Sequence, residues 1–256
     1  MNRIFRSKKP KMQGVAQGKQ NLIYSGSETL AVIENGLDNY NSSIARMLIN
    51  YAPKEAMHIL DFGAGSGTLA EQWSKRHKLK PDCLEIDPNL CQILKEKGFI
   101  VKSNQNDITI KYDYIYSSNV FEHIEDDLAA LKDLTKFLEV KGKIAIYVPA
   151  FPILFSDFDH SIGHFRRYTK KKIYRLSEHA GLDVDYFQYN DSIGFFVAIT
   201  ARILRYKITG DKKSENLLKI YDRFIWPISR ILDFAGFKYL FGKNLLVVLT
   251  KKSNES

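Results

Sequence analysis

The stretch Ile59-Leu60-Asp61-Phe62-Gly63-Ala64-Gly65-Ser66-Gly67 decides how the rest of the chain is read. A short, mostly apolar run leads directly into three glycines at alternate positions. A backbone without Cβ atoms can turn sharply there and approach a ligand closely. The amides that open the next helix then face whatever rests against the turn. A dinucleotide fingerprint would put its third glycine at position 68, which is Thr68 here, so the spacing is GxGxG.

The next informative residue is Glu85, eighteen positions beyond Gly67 and at the end of a second apolar run, Cys83 to Ile86. An acid at that place can accept hydrogen bonds from both hydroxyls of a ribose. Asp87 is the rival acid, but it precedes Pro88 and so has the position of a helix N-cap with proline at N1.

Further out, strands and helices alternate. A helix is expected from Asp38, with Ile44, Met47, Leu48 and Tyr51 on one face and Pro53 as its stop. A helix ending near His77 follows the glycine turn, and another after Asp87 stops at Gly98. Strands are expected at 99–102, 112–116 and 143–148, with a helix opened by Glu125, Asp126 and Asp127 before the last of these. Thr169 caps a helix ended by Gly181; strands at 184–189 and 244–249 complete the series. The pattern predicts an α/β fold, a doubly wound parallel sheet with its ligand at the carboxyl ends of the strands.

Composition limits the rest. The chain has 256 residues, 45% hydrophobic and 26% charged, enough for one sizeable domain without disulfides. Its two cysteines, Cys83 and Cys91, make no disulfide framework or metal motif. Residues 1–20 read as a loosely attached basic arm with no apolar core of a signal peptide, 21–250 as the domain, and 251–256 as a tail. No apolar run reaches membrane-spanning length. A cytoplasmic protein is expected; the net charge of +9 reads either as a plain solvated surface or as attraction to the inner face of an anionic membrane or to an anionic substrate. Nucleic acid is not an expected partner, since the glycine-aromatic signatures of RNA-binding modules are missing. Oligomeric state is not legible.

With these residues in view, the chain resembles the class I S-adenosylmethionine-dependent methyltransferases. ILDFGAGSG looks like their first motif, LEID like the acidic second, SSNVFEHIEDD (117–127) like the fourth, and LEVKGKIAIYVPA (138–150) like the fifth strand with its lead-in. The resemblance covers roughly residues 38–190, and GKNLLVVLTKK resembles the closing strand. It implies a Rossmann-like, seven-stranded sheet, strands one to six parallel and strand seven antiparallel. It also implies S-adenosylmethionine as cofactor, with Gly63, Gly65 and Gly67 at the methionine portion, Glu85 at the ribose and Asn104 near the adenine. Asp61, Ile86 and Ser118 would complete that lining. Many family members carry aspartate where Asn104 stands. The segment Asp159-His160-Ser161-Ile162-Gly163-His164-Phe165-Arg166-Arg167-Tyr168, with the earlier Tyr40-Asn41 pair, is similar to a branch linked with glycan or lipid-linked saccharide assembly.

The expected activity is methyl transfer, at oxygen, to a small molecule or lipid-linked saccharide. A hydroxyl acceptor needs a base, and His123 and His164 are the candidates, because imidazole titrates near neutral pH. Each also has a plain structural reading. Asp159, Arg166, Arg167 and Tyr168 are expected at the substrate, with a loop-pinning Arg–Asp159 pair as the alternative. No metal is expected, although Glu122, His123, Asp159 and His164 could converge on a divalent cation. Residues 192–241 mix aromatic and basic residues in amphipathic helices, readable as a cap, a dimer face or a foot on a membrane surface. Two other functions stay open: a cofactor-binding but inactive regulatory protein, and a nicotinamide-dependent oxidoreductase.

Overall fold

In the computed structural model, which describes residues 36–77, 79–205 and 211–253, seven strands form one sheet. They are β1 (Ile59–Phe62), β2 (Asp82–Leu84), β3 (Val101–Lys102), β4 (Tyr112–Ser118), β5 (Leu138–Pro149), β6 (Leu182–Asn190) and β7 (Asn244–Lys251). Their order is β3-β2-β1-β4-β5-β7-β6. β1 through β5 pair in parallel, and β7 runs antiparallel to both β5 and β6. The expected Rossmann-like sheet with a reversed seventh strand is therefore present. The chain leaves β1 toward β2 and β3 on one side and returns to β4 on the other, so the crevice between β1 and β4 is the switch point.

Alternation along the strands builds a core on each face of the sheet. Leu245, Val247 and Leu249 point into one layer; Leu246 and Val248 point into the other. The first layer is covered by α4 (Asp127–Lys136) and α6 (Lys170–His179), through Leu131, Leu134 and Ile173. The second is aromatic. Tyr114, Tyr116 and Tyr147 lie with Trp73 beneath α1 (Asp38–Asn50) and α2 (Thr68–Ser74), and the Trp73 and Tyr116 rings stack at 5.1 Å. α3 (Pro88–Glu96) starts as expected, with Asp87 accepting from the Asn89 and Leu90 amides. β5 is longer than the sequence indicated: it begins at Leu138, fully buried and in register with Tyr112.

After β6 come α7 (Ser192–Ile203), α8 (Lys212–Ile220), a π-helical turn at Tyr221–Ile225, and α9 (Trp226–Phe234). This helical segment is fastened to α1. The Asp222 carboxylate accepts from the Asn39 and Tyr40 amides at the start of α1, where the helix dipole favours a negative charge. Trp226 meets the Tyr40 ring edge-on at 4.6 Å and donates to Ser43 Oγ. A buried polar network ties it to β6: Asp233 accepts from the Asp191 and Ser192 amides and from the Ser192 hydroxyl, and Ser229 donates to Asp191. Burial pushes the Asp233 carboxyl up, opposed by those donors. The basic arm, the last three residues of the tail and Lys207 lie outside the described residues.

Trp226 is 2% exposed, so Trp226→Ala opens a cavity and frees the segment from α1. Urea unfolding should show a loss of about 3–5 kcal/mol; a loss below 1 kcal/mol would mean the segment is not part of the cooperative unit.

Candidate functional site

The glycine turn and Glu85 meet. The Gly65 amide donates to Glu85 Oε2 at 2.8 Å, and the Ile86 and Asp87 amides donate to Oε1 at 2.7 and 2.9 Å. The carboxylate thus bridges the end of β1 to the end of β2 and holds the turn open. Gly63 and Gly65 both have positive φ, at 76° and 57°. A Cβ at Gly63 would lie 2.4 Å from Val120, whereas one at Gly65 would meet nothing within 4 Å. The turn is packed shut on the β4 side and open at Gly65, the shape of a cradle. Ile86, half exposed beside it, offers an apolar face for a ring. Asp61 is 1% exposed with Oδ2 unpartnered; burial, with Glu85 nearby and the Tyr116 hydroxyl opposing, pushes its carboxyl up to about 7.

The other expected cofactor residues stand at the same edge of the sheet. Ser118 ends β4, its hydroxyl accepting from the Asn119 amide side chain. Asn104 follows β3 and caps a 3₁₀ turn, its side chain accepting from the Asn106 amide. Three strands end here on non-glycine residues with left-handed backbone: Asn119 after β4, Phe151 after β5 and Asp191 after β6. Such geometry costs about 1–3 kcal/mol per residue and gathers at functional sites.

His123 and His164 come together past the ends of β4 and β5, their rings edge-to-face at 4.6 Å. His164 Nδ1 lies 2.9 Å from Asp159 Oδ1, and Nε2 lies 3.7 Å from Glu122 Oε1. Burial, with His164 alongside, lowers His123 to about 4 despite a hydrogen bond to the Gly163 backbone. Glu122 is fully buried, and among the described residues neither carboxyl oxygen has a hydrogen-bond partner; burial pushes it up to about 8. Nothing in the sequence reveals the burial of Glu122.

The residues expected at the substrate have internal partners instead. Tyr168 is 1% exposed, its hydroxyl 3.0 Å from both the Phe121 carbonyl and Asp127 Oδ2. Arg166 pairs with Asp127 at 2.9 Å and donates to the Glu125 carbonyl. Arg167 holds Asp159 through two hydrogen bonds, of 2.9 and 3.1 Å. Burial raises Asp159, but the His164 and Arg167 contacts outweigh it and leave its carboxyl at about 2. Asp159, Arg166, Arg167 and Tyr168 are therefore the clamp of the 150–168 loop. Their side chains pair with one another and with the Glu125–Asp127 segment, the contacts that the loop-pinning alternative expects. A further group at this edge went unnoticed in the sequence: Lys243 pairs with Asp191 at 3.1 Å and sits over the Tyr40 ring, and Asn244 donates to the Tyr40 hydroxyl.

A family model described as a methyltransferase domain matches residues 37–186. The chain belongs to that family. Malonyl-[acyl-carrier protein] O-methyltransferase 1 of Ilyobacter polytropus is 33% identical over 104 residues, a match spanning 37% of this chain and 39% of that relative. Among solved structures, an S-adenosylmethionine-dependent methyltransferase from Archaeoglobus fulgidus superposes with a TM-score of 0.55 at 17% identity, over 89% of this chain and 96% of the other. Phosphoethanolamine N-methyltransferase 2 of Haemonchus contortus, solved with S-adenosylmethionine, gives 0.58 at 14% identity, over 89% and 58%. At such identities the likeness is one of fold.

S-adenosylmethionine is the cofactor of this methyltransferase domain, and the cradle fits it. The open side of Gly65 leaves room for the methionyl portion, the unpartnered Asp61 oxygen suits its cationic amino group, and the Glu85 carboxylate is already fixed for hydroxyls. Since a Cβ at Gly65 would enter that open side, Gly65→Ala should weaken S-adenosylhomocysteine binding in calorimetry at least tenfold. The fold should survive, because left-handed alanine costs only about 1–2 kcal/mol. Unchanged affinity would place the ligand elsewhere.

Proposed function

We propose that the protein transfers the methyl group of S-adenosylmethionine to an oxygen of a small molecule or lipid-linked saccharide presented at an anionic membrane face. The observation that carries the methyl-transfer reading is the adjacency of cradle and histidines. Val120, whose side chain closes Gly63, stands two residues before Glu122 and three before His123. The bound cofactor supplies an already activated methyl group, so the protein's work is alignment, exclusion of water and removal of the acceptor's proton. The Glu122–His123–His164 cluster is the proton-handling end. Asp159 fixes the orientation of His164 and leaves Nε2 facing the cluster. Oxygen as acceptor is supported by the O-methyltransferase relative, and a saccharide by the resemblance of residues 159–168.

The membrane reading rests on an inverted helix. α9 buries Trp226, Ser229 and Asp233 and exposes Ile228, Ile231 and Phe234, the last 90% exposed. Apolar side chains facing outward over a polar buried face mark a surface made for an apolar partner. At the end of α7, a cavity of about 400 Å³ is lined by Phe155, Phe158, Arg202 and Arg205, with Asp157 and His160 beside them; the arginines are the cations it offers a lipid phosphate. No helix among the described residues is long and apolar enough to cross a membrane.

Two measurements test this. With methyl-labelled S-adenosylmethionine and a lipid extract, label should enter the organic phase in a form stable to mild alkali, as an ether is and a methyl ester is not. Cofactor binding without transfer to any acceptor would favour the inactive regulatory reading. In cosedimentation with anionic phospholipid vesicles at low salt, the double variant Ile231→Asp, Phe234→Asp should lose at least tenfold in binding with an unchanged melting temperature. Equal sedimentation of the wild type and the variant, or concentration-dependent dimers of the wild type that the variant abolishes, would reject the membrane face.

A further inference from the structure

Glu122 makes the interior of the histidine cluster unusual. Its carboxyl group is fully buried, and among the described residues neither oxygen meets a hydrogen-bond donor; His164 Nε2 approaches to 3.7 Å, beyond hydrogen-bond range. Buried carboxylates in folded proteins are almost always paired or bound to metal. Arg167 is the basic side chain whose charge reaches Glu122, but its guanidinium is committed to Asp159. The carboxylate has thus been left facing two imidazoles.

The rings are arranged to suit that position. One nitrogen of His164 is taken by Asp159. In metal centres a ligating histidine gives its other ring nitrogen to a carboxylate or a backbone carbonyl, which fixes ring and tautomer. Arg167, by clamping Asp159 with two bonds, holds that outer partner in place. One ligand atom from each of Glu122, His123 and His164 lies within 4.8 Å of the others. Asp159, raised with them as a ligand in the sequence reading, stands behind His164 as its orienting group.

We propose that Glu122, His123 and His164 form a site for one divalent transition-metal ion. Two neutral imidazoles and one carboxylate suit zinc or a neighbouring first-row ion better than magnesium or calcium, which prefer all-oxygen sites. Three protein ligands leave coordination positions open, as at catalytic rather than structural centres. The inference deepens the proposed function and rests on the reading of this cluster as the acceptor end. A cation here would hold the acceptor hydroxyl and lower its pKa, the task otherwise left to an imidazole.

The test reads metal directly. The untagged full chain, stripped with chelator and dialysed, is titrated with Co²⁺, followed by its visible absorption, and with Zn²⁺ by calorimetry. One equivalent should bind, with a cobalt spectrum showing nitrogen ligation, and Zn²⁺ should raise the melting temperature. Glu122→Gln, which keeps shape and removes charge, and His164→Ala should each lower affinity at least tenfold. Asp159→Asn, acting through the outer shell, should lower it about 10–100-fold. S-adenosylhomocysteine binding by the same variants reports whether the fold and the cradle persist. Absence of stoichiometric metal binding by the wild type, or wild-type affinity in Glu122→Gln and His164→Ala variants that still bind S-adenosylhomocysteine, would overturn the site. Metal binding without methyl transfer to any acceptor would uphold the site and reject the proposed reaction instead.

Discussion

The three amide hydrogen bonds into the Glu85 carboxylate are the constraint on which the site depends. They join the turn after β1 to the end of β2, and they fix a negative group across from the open side of Gly65. The backbone adds ties of its own, the Gly63 and Ala64 amides donating to the Leu84 carbonyl, and glycine takes the left-handed conformation of the turn without a Cβ clash. The sheet supplies the other half. Because β1 and β4 are neighbours whose connections leave in opposite directions, the crevice beside the turn is not filled by a crossover.

A second layer of support runs through polar side chains at the same edge. Asp191, Asp233, Ser192 and Ser229 lock α7 and α9 to the end of β6, while Asp127, Arg166 and Tyr168 lock the 150–168 loop to the start of α4. Buried networks of this kind favour a single arrangement, because each partly satisfied alternative leaves a polar group unpaired. They leave the histidine cluster standing between two fastened segments, with Glu122 as its unsatisfied member. The apolar outer side of α9 follows from the same construction: the polar side is used inward, so the greasy side remains outward.

How far the sequence could reveal this depended on the range of the signal. Strand-helix alternation, the glycine turn, the caps at Asp87 and Thr169 and the acidic start of the helix at 125–127 are local signals, and the structure carries them. Glu85 was legible because its spacing from the turn is set by one helix and one strand. β7's reversal was carried by resemblance, since an apolar strand looks the same in either direction. The longer-range pairings stayed hidden. Asp191 and Asp233 are 42 positions apart, and nothing local marks them as partners. An arginine in a loop reads alike whether it faces a ligand or its own aspartate, so the pairing of Arg166 with Asp127 and of Arg167 with Asp159 has no local signature. Nor does the sequence reveal the burial of Tyr168, which depends on the strand and helix it lies against.

The most direct test of the cradle is amide hydrogen exchange with and without S-adenosylhomocysteine. If the bend and its carboxylate hold the cofactor, exchange should slow at residues 63–68 and 85–87 together, with the Lys170–His179 helix unchanged. Ligand binding that leaves both segments exchanging as before, or protects only residues 192–241, would contradict the account.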